Sequence, residues 1–268
     1  MGPDPSPGPF RSWTPRLTAS SPFPLAGSGP PDYPRGLVNS GLMSLRDRLD
    51  ALRERIASSS ERAGRAPGAV RLVAVVKTVP ATVVAEAVTL GVADLGESRV
   101  QEAELRSAAV GRLAARWHLI GHLQRNKAGK AVQLFDRVHS LDSIETARAL
   151  SARLAGTAHR LPVLVEVNIS GEPTKHGVEP GGARGLVEAM AALPGLALDG
   201  LMTVGAKVGQ PGEARREFAR LRALRDAIEA SAGLGLPELS MGMSGDFEAA
   251  IAEGSTMVRV GTALFGPV

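Results

Sequence analysis

The sequence contains no cysteine among its 268 residues. This absence excludes disulfide bonds, thiolate catalysis and zinc sites built on cysteine ligands. No window approaches the run of about 18 uninterrupted apolar residues that a transmembrane helix requires, so no membrane partner is predicted. A chain without cysteine is compatible with a reducing cytoplasm, and a cytoplasmic location is therefore our expectation.

Aromatic residues and lysines are also scarce. The chain has nine Phe, Trp and Tyr residues, and its 31 cationic residues comprise 26 arginines and only five lysines. The arginines are scattered rather than gathered into runs, and four of the aromatic residues lie within the first 42 positions. With few rings to stack on bases and no basic run, the composition predicts no nucleic-acid partner.

Residues 1–42 differ in composition from the rest of the chain. They contain ten of the 19 prolines, with glycine and serine between them and no apolar periodicity, which predicts a disordered tail. The segment lacks the basic start, apolar block and cleavage site of a secretory signal. Met43 directly precedes the first amphipathic stretch and is an alternative start codon, so the folded domain is predicted to span residues 43–268.

From Ser44 onward, helical and extended patterns alternate. An amphipathic helix comes first, with Leu45, Leu49, Leu52 and Ile56 on one face. Eight such strand-and-helix units in roughly 225 residues predict a single (β/α)8 barrel of the TIM type, with this extra helix at its start. An open doubly wound sheet is the alternative, because periodicity does not give strand order. The predicted strands are 71–76, 94–97, 117–120, 137–141, 162–169, 198–204, 239–243 and 257–260.

Lys77 follows directly on the apolar run from Leu72 to Val76. The carboxyl ends of strands carry the chemistry in barrels and open α/β sheets, because the loops there converge on one cavity. An amine against an apolar wall loses solvation of its charged form, which makes it available as a nucleophile toward an aldehyde. The alternative is an ordinary strand-end lysine that extends its ammonium group to water.

A glycine-rich stretch at 240–266 is the second candidate feature. Ser244, Gly245 and Asp246 join a predicted strand to a helix, where free backbone N–H groups attract an anion. Gly261 and Thr262 repeat the arrangement after the last strand, and barrels often hold a phosphate at these two loops. The alternative is that Ser244 caps its helix and the glycines close tight turns.

Arg259 lies inside the last predicted strand, between two valines. An arginine that points inward there needs an acceptor. Pairing with a carboxylate such as Glu97 or Glu166 would make it structural, whereas donation to a ring nitrogen of a ligand would make it functional. A lysine at one strand end and a phosphate site at two others suggest pyridoxal phosphate, whose aldehyde would condense with Lys77.

Seven blocks of sequence, in order, resemble the YggS/PROSC family of pyridoxal-phosphate homeostasis proteins and cover almost everything after Met43. They are LVAVVKTV, GESRVQE, WHLIGHLQRNK, VHSLDS, VEVNISGEPTKHGV, GLMTVG and LSMGMSGDFEAAIAEGSTMVRVGTALFG. The resemblance implies one barrel like the N-terminal domain of alanine racemases. It also implies that Lys77 holds pyridoxal 5′-phosphate as a Schiff base.

The same resemblance assigns further cofactor contacts by position. Arg259 matches the residue that faces the pyridine nitrogen, and Val75, Met202 and Met243 match positions around the ring. The chain departs from the family at Ser98, where many members have Asn, and at Gly245, where Ala, Asn or Asp is common. The positions that match the phosphate-holding residues are Ser244, Gly245, Gly261 and Thr262.

Two functions are open for such a protein. The first is a carrier that holds the cofactor and its amino-acid adducts and supplies apo-enzymes, contributing to cofactor homeostasis as a monomer. The second is an amino-acid racemase or another enzyme of this fold. The carrier is favoured, because an arginine at the ring nitrogen leaves a weak electron sink and the only tyrosine, Tyr33, lies in the tail.

A metal site is not predicted from the sequence. His118 and His122 are four residues apart, but they flank a strand end and Gly121 rather than sharing a helix face, and no carboxylate is near them in sequence.

Overall fold

The computed structural model describes residues 43–205 and 212–267. The predicted disordered tail therefore lies outside the described residues. Nine α-helices and eight β-strands follow one another within them, with a short 3-10 helix at Arg125–Lys127. They are α1 Leu45–Arg62, β1 Arg71–Val75, α2 Ala81–Thr89, β2 Asp94–Glu97, α3 Val100–Val110, β3 Arg116–Leu119, α4 Ala128–Leu134, β4 Arg137–Leu141, α5 Ile144–Leu154, β5 Leu161–Glu166, α6 Pro180–Ala191, β6 Leu196–Met202, α7 Glu213–Ala232, β7 Glu238–Ser240, α8 Phe247–Ala252, β8 Met257–Val260 and α9 Thr262–Phe265.

The eight strands form a closed barrel in sequence order, and every pair is parallel. Closure is made by β1 and β8, which pair from Arg71 with Met257 to Ala74 with Val260. The prediction of a (β/α)8 barrel is thus confirmed over the open sheet. All active-site candidates that follow strands consequently lie at one end of the barrel, which we call the mouth.

Alternation along the strands separates two cores. Val258 and Val260 of β8 belong to the main core, in which the helices pack on the outside of the barrel. Met257 of the same strand belongs to a second cluster inside the barrel, together with Val73, Leu164 and Met202. Side chains that alternate with the outer set, including Arg259, therefore point into the barrel.

The first helix is fixed at both the local and the tertiary level. Ser44 and Asp47 form a reciprocal capping box at its start. Arg48 Nε donates to the carbonyl of Leu264 over 2.7 Å, which joins α1 to α9. Among the described residues, no helix combines the length and the apolar character needed to cross a membrane.

Several strand boundaries differ from the predictions. β1 differs by one residue at its carboxyl end, β3 by one residue and β6 by two residues at each end, and β5 and β7 by one residue at their amino ends and three at their carboxyl ends. The strand predicted at 162–169 ends at Glu166, and Val167 makes only an isolated bridge to Val178. The strand predicted at 239–243 ends at Ser240. Val167 and Ile169 are buried in loop conformation, so their apolar character reflects packing rather than strand pairing. The short helix α9 was not predicted, because four residues give too little periodicity.

Candidate functional site

Lys77 lies just beyond β1 at the mouth, and its side chain is exposed. Its loop is held by Arg106 of α3, which donates to the carbonyls of Lys77 and Val79. Arg106 Nε also donates to Glu97 Oε2 over 3.1 Å, and the Glu97 side chain is fully buried. The loop that carries Lys77 is therefore tied to the end of β2. Arg106 was missed at the sequence level because it lies 29 residues further along the chain.

Gly261 and Val75 are neighbours at the ends of β8 and β1. A Cβ atom at position 261 would lie 3.4 Å from both Val75 Cβ and Val75 O. Met202 ends β6, is fully buried and is the register partner of Ser240 on β7. Met243 follows β7 in a half-buried loop, where its N–H donates to Asp246 Oδ1 over 2.5 Å.

Ser244 joins the two glycine-rich loops. Its hydroxyl oxygen accepts a hydrogen bond from the N–H of Ala263 over 3.2 Å. Ser244 does not cap α8, whose N-cap is Asp246, so the alternative of a helix-capping serine is wrong. Within residues 43–205 and 212–267, the N–H groups of Ser244, Gly245 and Thr262 have no acceptor. These loops thus present free donors of the kind that bind a phosphate.

Arg259 is buried inside the barrel, with 4% of its surface exposed. Its Nη1 donates to Ser240 Oγ over 2.7 Å and its Nη2 to the carbonyl of Thr203 over 2.8 Å. The alternative of a structural ion pair between Arg259 and Glu97 is not realised, because Glu97 binds Arg106 instead. No ion pair of Arg259 with Glu166 is formed among the described residues. Burial lowers the pKa of Arg259 to about 10, so the guanidinium stays charged at neutral pH.

A chain of buried hydrogen bonds runs from Arg259 to the opposite end of the barrel. Ser240 Oγ lies 2.9 Å from His139 Nδ1, His139 Nε2 lies 2.9 Å from His118 Nδ1, and His118 Nε2 lies 2.8 Å from Asp94 Oδ1. Asp94 is the first residue of β2 and also binds Arg116 through two hydrogen bonds of 2.7 Å. We call these five residues, Arg259, Ser240, His139, His118 and Asp94, the interior chain.

All hydrogen bonds of the interior chain run in one direction, from donor to acceptor, toward Asp94. The pKa of Asp94 is held well below its usual range by its bonds to Arg116 and His118, against the effect of burial, so the carboxylate only accepts. Burial lowers the pKa of both His118 and His139, so both rings are neutral and each carries one proton. His118 therefore donates to Asp94, His139 to His118, and Ser240 to His139. The remaining lone pairs of Ser240 face Arg259, which fixes the guanidinium.

Glu166 ends β5 and is also buried at the mouth. Its Oε2 atom has no hydrogen-bond partner in the part of the chain that the structure describes. Burial, and secondarily the charge of Asp142, raise the pKa of Glu166 to about 7, while Arg259 opposes the shift. An unpartnered carboxyl group beside a buried cation is a group that a ligand can engage.

The interior chain was not found from the sequence. The only signal was the presence of His118, His139 and Ser240 at inward positions of strands, among apolar neighbours. His118 and His139 are 21 residues apart, and His139 and Ser240 are 101 residues apart. Only the arrangement of the strands in the barrel shows that these side chains meet.

The residues at the mouth fit pyridoxal phosphate. The free N–H groups of Ser244, Gly245 and Thr262 suit its phosphate, the exposed amine of Lys77 suits its aldehyde, and Arg259 supplies a donor inside the barrel.

Comparison with known proteins gives consistent results. The family described as "Alanine racemase, N-terminal domain" matches residues 48–268. Proteins called "Pyridoxal phosphate homeostasis protein" from Aquifex aeolicus and Pseudomonas aeruginosa are 42% and 41% identical to this chain. Each match covers 84% of the chain, and 98% and 96% of the respective relative. The structure of PipY from Synechococcus elongatus PCC7942 with PLP bound is similar, with a TM-score of 0.73 and 35% identity over 83% of this chain and 100% of PipY.

Proposed function

The chain belongs to the pyridoxal phosphate homeostasis proteins, within the alanine racemase N-terminal domain family, and we propose that it binds pyridoxal 5′-phosphate and buffers it. The observation that carries the proposal is the similarity, over 83% of this chain, to a structure with PLP bound. The amine, the free N–H donors and the buried cation at the mouth support it with the chemistry that the cofactor requires. Relatives named for homeostasis support a buffering or carrying role, and we place that role in the cytoplasm.

Each part of the mouth has a proposed task. Lys77 attaches the cofactor through its amine, and Arg259 donates to the ring nitrogen. Residues around the ring are Val75, Met202 and Met243. The groups proposed to hold the phosphate are Ser244, Gly245, Gly261 and Thr262.

Bound pyridoxal phosphate supplies a reactive aldehyde and a ring that can accept electrons. Arg259 has donors only and is charged at neutral pH, so it holds the ring nitrogen as an acceptor, without a proton. Arg259 Nη1 donates to Ser240 and Nη2 donates to the carbonyl of Thr203. These two bonds fix the plane of the guanidinium and therefore the direction of its Nε–H group. An unprotonated ring is the weaker electron sink, and this favours storage and release over catalysis of amino-acid reactions.

Attachment is tested by the absorbance of freshly purified full-length protein before and after borohydride, followed by peptide mapping. We expect the reduced adduct on Lys77. Lys77→Ala should lose the absorbance of the attached cofactor, whereas Lys130→Ala should keep it, since both side chains are exposed and both variants should fold. An adduct on any of the other four lysines would overturn the assignment.

The enzyme alternative is separated from the carrier by a turnover assay against a panel of amino acids. The carrier predicts negligible racemase or decarboxylase activity, whereas turnover near about 1 per second would identify an enzyme. Delivery is tested by mixing the cofactor-loaded protein with an apo-enzyme and comparing its reactivation with that by an equal concentration of free cofactor.

A further inference from the structure

Two histidines and an aspartate meet at the mouth, on the side formed by β3, β4 and β5. His122 follows β3, Asp142 follows β4, and His176 lies in the segment between β5 and α6. One ligand atom from each residue lies within 4.8 Å of the others. His122 Nδ1 lies 3.2 Å from Asp142 Oδ2, and the rings of His122 and His176 are stacked with centroids 4.3 Å apart.

The backbone at His122 is fixed by its neighbours. The carbonyl of Gly121 accepts a hydrogen bond of 2.6 Å from the hydroxyl of Ser140 on β4. A Cβ atom at position 121 would lie 2.5 Å from the carbonyl oxygen of Ser98, so glycine is required there. Ser140 is two residues before Asp142, so its hydrogen bond to Gly121 holds His122 at a set position beside the end of β4.

The backbone at His176 is fixed in the same way. Gly177 has a φ of +112°, and a Cβ atom there would lie 2.7 Å from the backbone nitrogen of Asn168. The next residue, Val178, donates its N–H to the carbonyl of Glu166 over 2.9 Å. The segment is thus docked on the end of β5. This docking brings His176 next to His122, which lies 54 positions earlier in the chain.

We propose that His122, Asp142 and His176 bind one divalent transition-metal ion of the zinc class. Two imidazoles and one carboxylate form a donor set that such ions prefer, and three protein ligands leave a fourth position open to water or a small anion. The two histidines line a cleft of about 420 Å³ together with Lys127 and Arg99, whose charges suit an anion at that fourth position.

Binding requires a local rearrangement of side chains only. The stacked rings are inclined by 14°, so a single ion cannot lie in both ring planes, and one ring must turn out of the stack. Both histidines are exposed, so neither ring is held in the core. Metal bonds of about 2.0–2.2 Å then become reachable from donor atoms that already lie within 4.8 Å of one another.

A second carboxyl group lies beside this cluster. Leu141 pairs with Val165 in the barrel, so the next residues along these strands, Asp142 and Glu166, are adjacent. Glu166 Oε2 is buried and has no hydrogen-bond partner among the described residues. A divalent cation bound at Asp142 would therefore lie near a second carboxyl group whose Oε2 atom lacks a donor among the described residues. The proposal does not depend on the binding of pyridoxal phosphate.

The test is titration of the full-length, tag-free protein, after dialysis against a chelator, with Zn²⁺ by calorimetry and with Co²⁺ by visible absorbance. We expect one ion per chain and an intense cobalt spectrum of the tetrahedral type. His122→Ala, His176→Ala and Asp142→Asn should each weaken binding at least about tenfold, since even loss of groups that only orient ligands costs 10–100-fold. His159→Ala, an exposed histidine outside the cluster, should bind as the wild type does.

The exposed positions of both histidines make folded variants the expectation, and circular dichroism checks this. Binding that survives His122→Ala and His176→Ala, or that falls equally in His159→Ala, would overturn the site. Absence of both a heat signal and a cobalt spectrum in the wild type would do so as well, whatever the cofactor content of the protein.

Discussion

Arg259 Nη1 and Ser240 Oγ form a hydrogen bond of 2.7 Å inside the barrel, where both side chains are buried. Among the residues that the structure describes, the serine alone links the guanidinium to the two histidines of the interior chain. A buried cation thus depends on one small hydroxyl group for half of its observed hydrogen bonds.

Ser240→Ala should lower the free energy of unfolding by roughly 2 kcal/mol, because a charged donor and the acceptor of His139 both lose their partner in a buried place. Urea denaturation measures this. The matched control is Ser231→Ala, at an exposed position of α7, which should change the free energy by less than about 0.5 kcal/mol. Equal effects of the two substitutions would contradict the role given to Ser240.

Arg106→Ala should lower the free energy of unfolding by about 3 kcal/mol, because it leaves the fully buried carboxylate of Glu97 without its cation. Hydrogen exchange of the loop around Lys77 should also accelerate, since two of its carbonyls lose their donor. Adding Glu97→Gln to Arg106→Ala should recover part of the loss. A double variant that is less stable than the single one would refute the ion-pair explanation.

Glu166→Gln should give a stability difference that depends on pH. The pKa of Glu166 is raised from 4.5 to about 7, so the folded state keeps its proton where the unfolded chain has lost it. Stability from this group is complete below pH 4.5 and is lost as the pH rises through 7. The free energy of unfolding of the variant, relative to that of the wild type, should therefore rise by about 3 kcal/mol as the pH increases from 4.5 to 8.

Denaturation across this pH range measures that gain, with Glu86→Gln as the control at an exposed position of α2. The difference for Glu166→Gln should change with pH more than that for the exposed control. A difference for Glu166→Gln that stays constant across this range would contradict the raised pKa of Glu166.

Gly200→Ala should destabilise the barrel by roughly 3 kcal/mol, since its Cβ would lie 1.8 Å from the carbonyl oxygen of Glu238 and force β6 and β7 apart. Gly185→Ala is the matched control. It lies in α6, and beyond its chain neighbours and the adjacent helix backbone no atom lies within 4 Å of the added Cβ, so alanine should stabilise the helix by about 1 kcal/mol. Thermal denaturation compares them, and a neutral result at position 200 would argue against the observed register of β6 and β7.

Local patterns were sufficient to predict most of the fold. The bounds of β2, β4 and β8 agree with the predictions, because the apolar runs there end at clear breaks. The end of β5 was overestimated because Val167 and Ile169 are buried by a loop, and burial alone does not distinguish a strand from packed coil.

The site was predictable only in part. Lys77, Ser244 and Gly261 lie in loops that follow β1, β7 and β8, so position in the sequence was enough to nominate them, and their roles stay predictions. The interior chain and the cluster of His122, Asp142 and His176 depend on which strands are neighbours and on how a later segment docks. The periodicity of the sequence shows neither which strands are neighbours nor where that segment docks.

Every hydrogen bond of the interior chain points in the same direction, so a change at Asp94 affects Arg259 at the other end of the chain. Asp94 is the only member that can do nothing but accept, and it alone dictates which nitrogen of each imidazole carries hydrogen. The pKa of Asp94 lies well below its usual range, so mild acid leaves this carboxylate ionised and the direction of the hydrogen bonds unchanged. Replacing Asp94 with Asn, which can donate as well as accept, would instead free both rings to exchange tautomers and the serine hydroxyl to rotate. The change would reach Arg259 through reoriented hydrogen bonds alone.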